Sequence, residues 1–99
     1  MSKTTKPKSA WYVYILRCAD DTLYTGITTD VPRREKEHNS KTGIAAKYTR
    51  TRQPVKVIYQ ELLANRSTAT KREIAIKKMT RQRKKALIES VGKICLFHC

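Results

Sequence analysis

Ninety-nine residues carry 22 Lys and Arg against 8 Asp and Glu, a formal net charge of +14 at pH 7. That length suits one domain and excludes a second core, because a chain this size buries only about two-thirds of its unfolded surface. So large a positive excess repels itself and makes most sense if the partner is a polyanion, bound by phosphate neutralisation with counterion release.

In chain order, residues 1–10 are polar and basic, with Lys3, Lys6, Pro7 and Lys8, and read as a disordered tail. No apolar run follows these lysines, so the segment is no signal peptide. Trp11–Cys18 (WYVYILRC) is dense in aromatic and β-branched residues, which predicts a strand, and Ala19-Asp20-Asp21-Thr22 predicts a turn. Leu23–Thr28 (LYTGIT) is the returning strand of a hairpin. Gly26 inside it marks either a bulge or a close backbone approach. If the loop holds an odd number of residues, Tyr14 and Tyr24 emerge on one face of the sheet. With the four residues Ala19–Thr22 as the loop, they emerge on opposite faces.

Asp30 is placed to cap a helix over Val31–Asn39, with Pro32 tolerated in its first turn. Residues 40–54 read as a long loop, basic at Lys41, Lys47, Arg50 and Arg52, and Val55–Leu62 (VKVIYQEL) as a third strand. Two helices follow, about Ser67–Met79 and then Ser90 reached from an N-cap at Thr80, with Gly92 as a stop signal before a tail over 92–99. The order β-β-α-β-α-α predicts an α+β domain over 11–91, a three-stranded antiparallel or mixed sheet flanked by helices. No apolar stretch is long enough to span a bilayer. The three cysteines Cys18, Cys95 and Cys99 leave one unpaired, which points to reduced thiols and the cytoplasm.

Several chemistries are excluded by missing motifs: there is no P-loop, HExxH, paired CxxC or GxSxG. Cys95, His98 and Cys99 are compressed into five residues without a second ligand pair, so a zinc site is not expected there. Tyr14 and Tyr24 are either core fillers with wet hydroxyls or part of a site. Arg34 and His38 stand at i and i+4 on one helix face, either solvated or functional. Glu73 is the one acid among nine Lys and Arg between Arg66 and Lys85. Helical geometry puts it about 40° from Ala69 and about 60° from Ile76, at the edge of the apolar stripe. It either pairs with Arg72 or Lys77 or offers an oxygen ligand to a hard cation such as Mg²⁺.

Tyr12-Val13-Tyr14, Tyr24-Thr25-Gly26 and Asp30-Val31-Pro32-Arg33-Arg34, followed by a helical glutamate, resemble the GIY-YIG nuclease superfamily. More narrowly, the chain resembles the small stand-alone bacterial members of the YhbQ type, in which His38-Asn39 and Ala46–Thr49 also find counterparts. The likeness covers roughly residues 11–90 and departs from the family pattern at Tyr12, Thr25 and Ile27. It also lacks a downstream asparagine over Lys84–Ser90.

The resemblance implies hydrolysis of a phosphodiester bond with a single Mg²⁺ or Mn²⁺ held by Glu73. Tyr14 and Tyr24 would sit at the scissile phosphate, one of them helping to deprotonate water, and Arg34 would hold the phosphate. His38 would bond the phosphate or the leaving oxygen. Gly26 would let the DNA backbone approach closely. Lys47, Tyr48, Arg72 and Lys77 belong to the expected contact surface, the loop Lys41–Arg52 and the segment Arg66–Lys85. The expected partner is DNA, or RNA, through its phosphate backbone, with neither a membrane nor an obligate protein partner. The expected activity is a metal-dependent endonuclease of DNA repair or processing. The competing readings are a nucleic-acid-binding module of the same fold with negligible activity, and a basic RNA- or ribosome-associated protein.

Overall fold

Strand β1 (Trp11–Arg17) buries four successive residues, Val13, Tyr14, Ile15 and Leu16, so both of its faces are covered. That is the signature of a central strand. In the computed structural model, which describes residues 10–40 and 47–98 with side chains as far as Ser90, β1 lies between β2 (Leu23–Thr28) and β3 (Lys56–Leu63). Both pairings are antiparallel. The tail expected over residues 1–10 lies outside the described residues except for Ala10. So do Lys41 and the Cys95, His98 and Cys99 side chains.

The two faces carry separate cores. Val13, Ile15 and Tyr59 meet Ala69 and Ile76 of α3 (Arg66–Lys77), which packs across β1 and β2. Leu87 and Ile88 of α4 (Arg81–His98) complete that layer. On the opposite face Tyr14, Leu16 and Cys18 pack with Val55 and with Val31 of α1 (Val31–His38). No described helix is long and apolar enough to cross a membrane.

The expected helix starts rest on their side chains. Asp30 accepts from the Arg33 amide at 3.1 Å, with Pro32 in the first turn, and Thr80 Oγ1 accepts from the Arg83 amide at 3.2 Å. Asn65 and Thr68 form a reciprocal capping box that begins α3 at Arg66, one residue before the expected start.

Larger differences from expectation have identifiable causes. A one-turn helix, α2 (Lys47–Arg50), interrupts the expected loop. The third strand starts at Lys56 because Val55 is already paired: its N–H donates to Asn39 Oδ1 at 2.7 Å and its carbonyl accepts from Asn39 Nδ2 at 3.0 Å. Helix α4 runs through Gly92 to His98. Glycine costs a helix interior only about 1 kcal/mol and ends a helix by adopting a positive φ, which no described glycine does.

One irregularity joins α1 to the sheet. Ile15 faces Tyr59 but Leu16 faces Val57, so Ile58 is an extra residue in β3. The Val57 amide donates to Glu35 Oε2 of α1 at 2.8 Å. With Asn39 on Val55, two α1 side chains thus fasten that helix to the start of β3. Because Val55 is only 5% exposed, Asn39→Ala strips two backbone groups of their partners where water cannot replace them. Urea unfolding is expected to show a loss of about 2–3 kcal/mol. The exposed Lys36→Ala is expected to change stability by less than about 0.5 kcal/mol.

Candidate active site

The hairpin register decides which residues can meet. Tyr14 pairs with Gly26 and Leu16 with Tyr24, so the loop is the five residues Cys18–Thr22. With an odd loop, Tyr14 and Tyr24 project from the same face, their ring centroids 6.5 Å apart. Strand β1 ends at Arg17, and the turn closes through Cys18 N–H to the Thr22 carbonyl at 2.9 Å, with Asp21 at φ 67°.

Opposite Tyr14 there is no bulge. A Cβ at Gly26 would lie 2.6 Å from the Tyr14 hydroxyl oxygen and 2.8 Å from Cζ. The space that glycine leaves is filled by the Tyr14 ring, so its visible role is to seat that ring.

Helix α1 brings His38 and Arg34 over this face. His38 has no exposed surface; its Nε2 lies 2.8 Å from the Tyr14 hydroxyl and its Nδ1 2.8 Å from Thr49 Oγ1 of α2. Tyr24 packs edge-on against the imidazole, 5.1 Å between centroids. Arg34 bonds Glu37 at 2.8 Å and is also within hydrogen-bonding reach of the Tyr14 hydroxyl. Outward of Tyr24 the ring of Tyr48 is stacked at 5.7 Å, and the Arg52 guanidinium lies over Tyr48 at 4.0 Å.

Glu73 comes from the other layer, on α3, yet its charge bears on Tyr14. Its carboxylate pairs with Lys77 at 3.3 Å, not with Arg72. Arg72 instead grips Glu61 through two bonds of 2.8 and 3.2 Å, and Glu61 also accepts the Tyr59 hydroxyl. Among the described residues no three His, Cys, Asp or Glu side chains gather as a metal cluster. Glu73 alone matches a hard cation that draws most of its ligands from water and phosphate.

The structure therefore brings together Tyr14, Tyr24, Arg34 and His38, with Tyr48 of α2 stacked on Tyr24, Gly26 beneath Tyr14, Lys47 exposed on the same short helix, and Glu73 on α3 acting on Tyr14 through its charge. Lys77 joins as the partner of Glu73, whereas Arg72 is committed to Glu61. Thr49 was not singled out from the sequence. Its one signal was membership of the Ala46–Thr49 stretch, and only the fold of α2 turns it toward His38.

Burial first, and then the neighbouring Tyr24, raise the Tyr14 pKa well above the ordinary tyrosine value; Arg34 opposes this and Glu73 adds to it. Burial, reinforced by the Arg34 charge, lowers His38 to about 4 while Glu37 works the other way. Both groups are therefore neutral at pH 7.

Residues 10–86 match the sequence pattern of the GIY-YIG catalytic domain. A UPF0213 protein of Desulfotalea psychrophila is 50% identical over 91 residues, spanning 92% of this chain and 80% of that one. One of Haloquadratum walsbyi is 53% identical over 78 residues, 79% of this chain and 85% of its own. Two solution NMR structures share the fold. A protein of E. faecalis, 43% identical, superposes with a TM-score of 0.59 over 89% of this chain and 92% of its own. The UPF0213 protein BH0048 of Bacillus halodurans, 41% identical, gives 0.52 over 81% and 83%.

The unfolded chain takes up a proton at His38 near pH 6.5, but the folded one resists until about 4. Acid therefore favours unfolding across that window, and the contribution is complete above 6.5 and lost by 4. Between pH 7 and 4 the wild type is expected to lose about 3 kcal/mol more stability than His38→Gln, measured by urea unfolding at each pH. Gly26→Ala forces the buried Tyr14 ring away from His38. Thermal and urea unfolding are expected to show about 1–3 kcal/mol of destabilisation.

Proposed function

This chain belongs to the GIY-YIG family, and from that premise we propose that it is a divalent-metal-dependent nuclease hydrolysing phosphodiester bonds of DNA in repair or processing. The observation that carries the reading is the gathering of Tyr14, Tyr24, Arg34 and His38 on one sheet face, with the carboxylate of Glu73 felt at Tyr14. A pure binder gains nothing from an acid within its most basic segment.

Arg34 offers the fixed cation a phosphodiester requires, and its contacts with Glu37 and Tyr14 restrict its geometry before substrate arrives. Glu73 holds the Mg²⁺ or Mn²⁺ ion, which when bound helps to offset the charge developing on the phosphate. Tyr14 and Tyr24 present their hydroxyls at the scissile group. The raised pKa of Tyr14 means that it meets the attacking water as a neutral hydroxyl, so a proton taken from water must be matched by one passed on. His38 Nε2, 2.8 Å away and unprotonated at neutral pH if it is the acceptor, is placed to receive it. The negative charge of a bound phosphate makes the imidazole more basic and favours that transfer. Lys47 and Tyr48 at the rim, with the bases of α3 and α4, contact adjoining nucleotides through phosphate and ring.

The test is cleavage of plasmid and single-stranded DNA by purified protein with Mg²⁺ or Mn²⁺, with Glu73→Ala as the control for contaminating nuclease. Wild type is expected to cut. Glu73→Ala is expected to lose cleavage while binding DNA equally or more tightly, since a negative charge has been removed beside the phosphates. Wild-type protein that binds both substrates and leaves them intact would instead be a binding module of this fold.

A further inference from the structure

Next to the Tyr24–Tyr48 stack lies a surface cleft of about 220 Å³. It is lined by Thr22 and Leu23, the two residues before Tyr24, by Tyr48 of α2, and by Arg81 and Lys84 of α4. Two bases and no acid face this space. The clefts beside α1, at Cys18 and between Arg17 and α4 each include a carboxylate, from Asp30 and Glu35, from Asp21, and from Asp21 and Glu89.

The two bases are held in different ways. Lys84 is half-buried, whereas Arg81, Arg83 and Lys85 around it are exposed. Among the described residues no acid forms an ion pair with Lys84, so its charge at the cleft is uncompensated. Arg81 is anchored instead: its Nη2 donates to the Asp21 carbonyl at 2.8 Å and to the Asp21 carboxylate at 3.1 Å. Both bonds use one guanidinium nitrogen, and the fork carries further donors on the other two. Asp21 does not line this cleft, so it orients Arg81 without occupying the space. The hairpin loop that puts Tyr14 and Tyr24 on one face thus also positions a base.

We propose that this cleft is a phosphate subsite, in which Arg81 and Lys84 together hold one phosphodiester of the bound nucleic-acid strand, away from the bond that is cut. The inference rests on the nuclease reading for the identity of the ligand, and its binding test requires no turnover.

A phosphodiester presents two nonbridging oxygens to its surroundings. Arg81 and Lys84 stand at i and i+3, about 5–6 Å apart at Cβ, so each can donate to one oxygen of the same group. Tyr48 belongs both to the cleft and to the stack on Tyr24, 5.7 Å between ring centroids. A strand lying across the two tyrosines therefore meets the cleft directly beyond Tyr48. That placement gives two of the many bases a defined task, whereas the others contribute through the general field.

The test is binding of a short fluorescein-labelled oligothymidylate to the full chain, followed by anisotropy without divalent metal over a series of salt concentrations. Lys84→Gln is expected to weaken binding about 5–10-fold and to reduce the slope of log K against log salt by about 0.7, one phosphate contact on a single strand. Lys84→Arg keeps the charge and is expected to retain both. Lys36→Gln, on α1 and outside the cleft, also removes one charge and is expected to change affinity less than about 2-fold. The Arg81–Asp21 pair is exposed on both sides, so Arg81→Gln is expected to stay folded. Because the two bases hold one phosphate, the double variant is expected to lose less than the product of the single losses. Equal losses from Lys84→Gln and Lys36→Gln would show that only net charge is read and would overturn the proposal, as would a fully multiplicative double variant. A wild type that shows the expected binding pattern but cuts no DNA with Mg²⁺ or Mn²⁺ would refute the nuclease reading and leave the subsite standing. A wild type that does not bind the oligothymidylate would overturn both.

Discussion

Between Arg17 and Leu23 the chain turns in five residues, and that odd count puts Tyr14, Leu16, Tyr24 and Gly26 on one side of the sheet and Val13, Ile15 and Ile27 on the other. Side chains along a strand alternate, so one residue more or fewer would send one tyrosine into the α3 core. The Tyr14–His38 contact, the Tyr24–Tyr48 stack and the seat at Gly26 all presuppose this parity. The loop that sets it is held at both tips: Asp20 by Arg52, and Asp21 by Arg81 of α4.

The fold class could be read from short-range signals because these are local. β-branched and aromatic runs mark the strands, while Asp30 with Pro32 and Thr80 mark two helix starts. What escaped was set by contacts distant in sequence. Nothing within Val55–Leu62 says that Val55 is withdrawn from the strand by an asparagine sixteen residues earlier. Nor does Lys47–Arg50 announce a helix, since one turn has little intrinsic stability and owes its form to the elements around it. For the site, Tyr14, Tyr24, Arg34, His38 and Glu73 were legible through their spacing and the family resemblance. Thr49 was not, because a small hydroxyl acquires meaning only from what it faces.

The acids explain how so basic a chain folds. Asp20, Asp21, Glu37, Glu61 and Glu73 each pair with a base, and Asp30 and Glu35 accept backbone amides. Seven of the eight acids are therefore engaged internally: Asp21, Glu35 and Glu61 tie one element to another, Asp20 ties the hairpin loop to Arg52, and Asp30, Glu37 and Glu73 act within or at the cap of their own helices. Most of these pairs are at least part-exposed and individually contribute little. Their value is geometric: they fix arginines whose positions matter. Among the described residues Lys36, Lys47, Lys56, Lys71, Lys78, Arg83 and Lys85 are exposed, and their positive field raises the encounter rate with any polyanion and falls away with added salt.

The seat at Gly26 bears on how sequences of this kind can diverge. Because a methyl group there would occupy the space of the Tyr14 ring, the two positions are one object divided between two strands. Neither can drift alone: a side chain at 26 needs a smaller neighbour at 14, and that smaller neighbour gives up the hydroxyl that His38 receives. A side chain added at 26 alone collides with the ring at 14. Position 26 is therefore held by the shape of position 14, and glycine survives there as the imprint of a tyrosine.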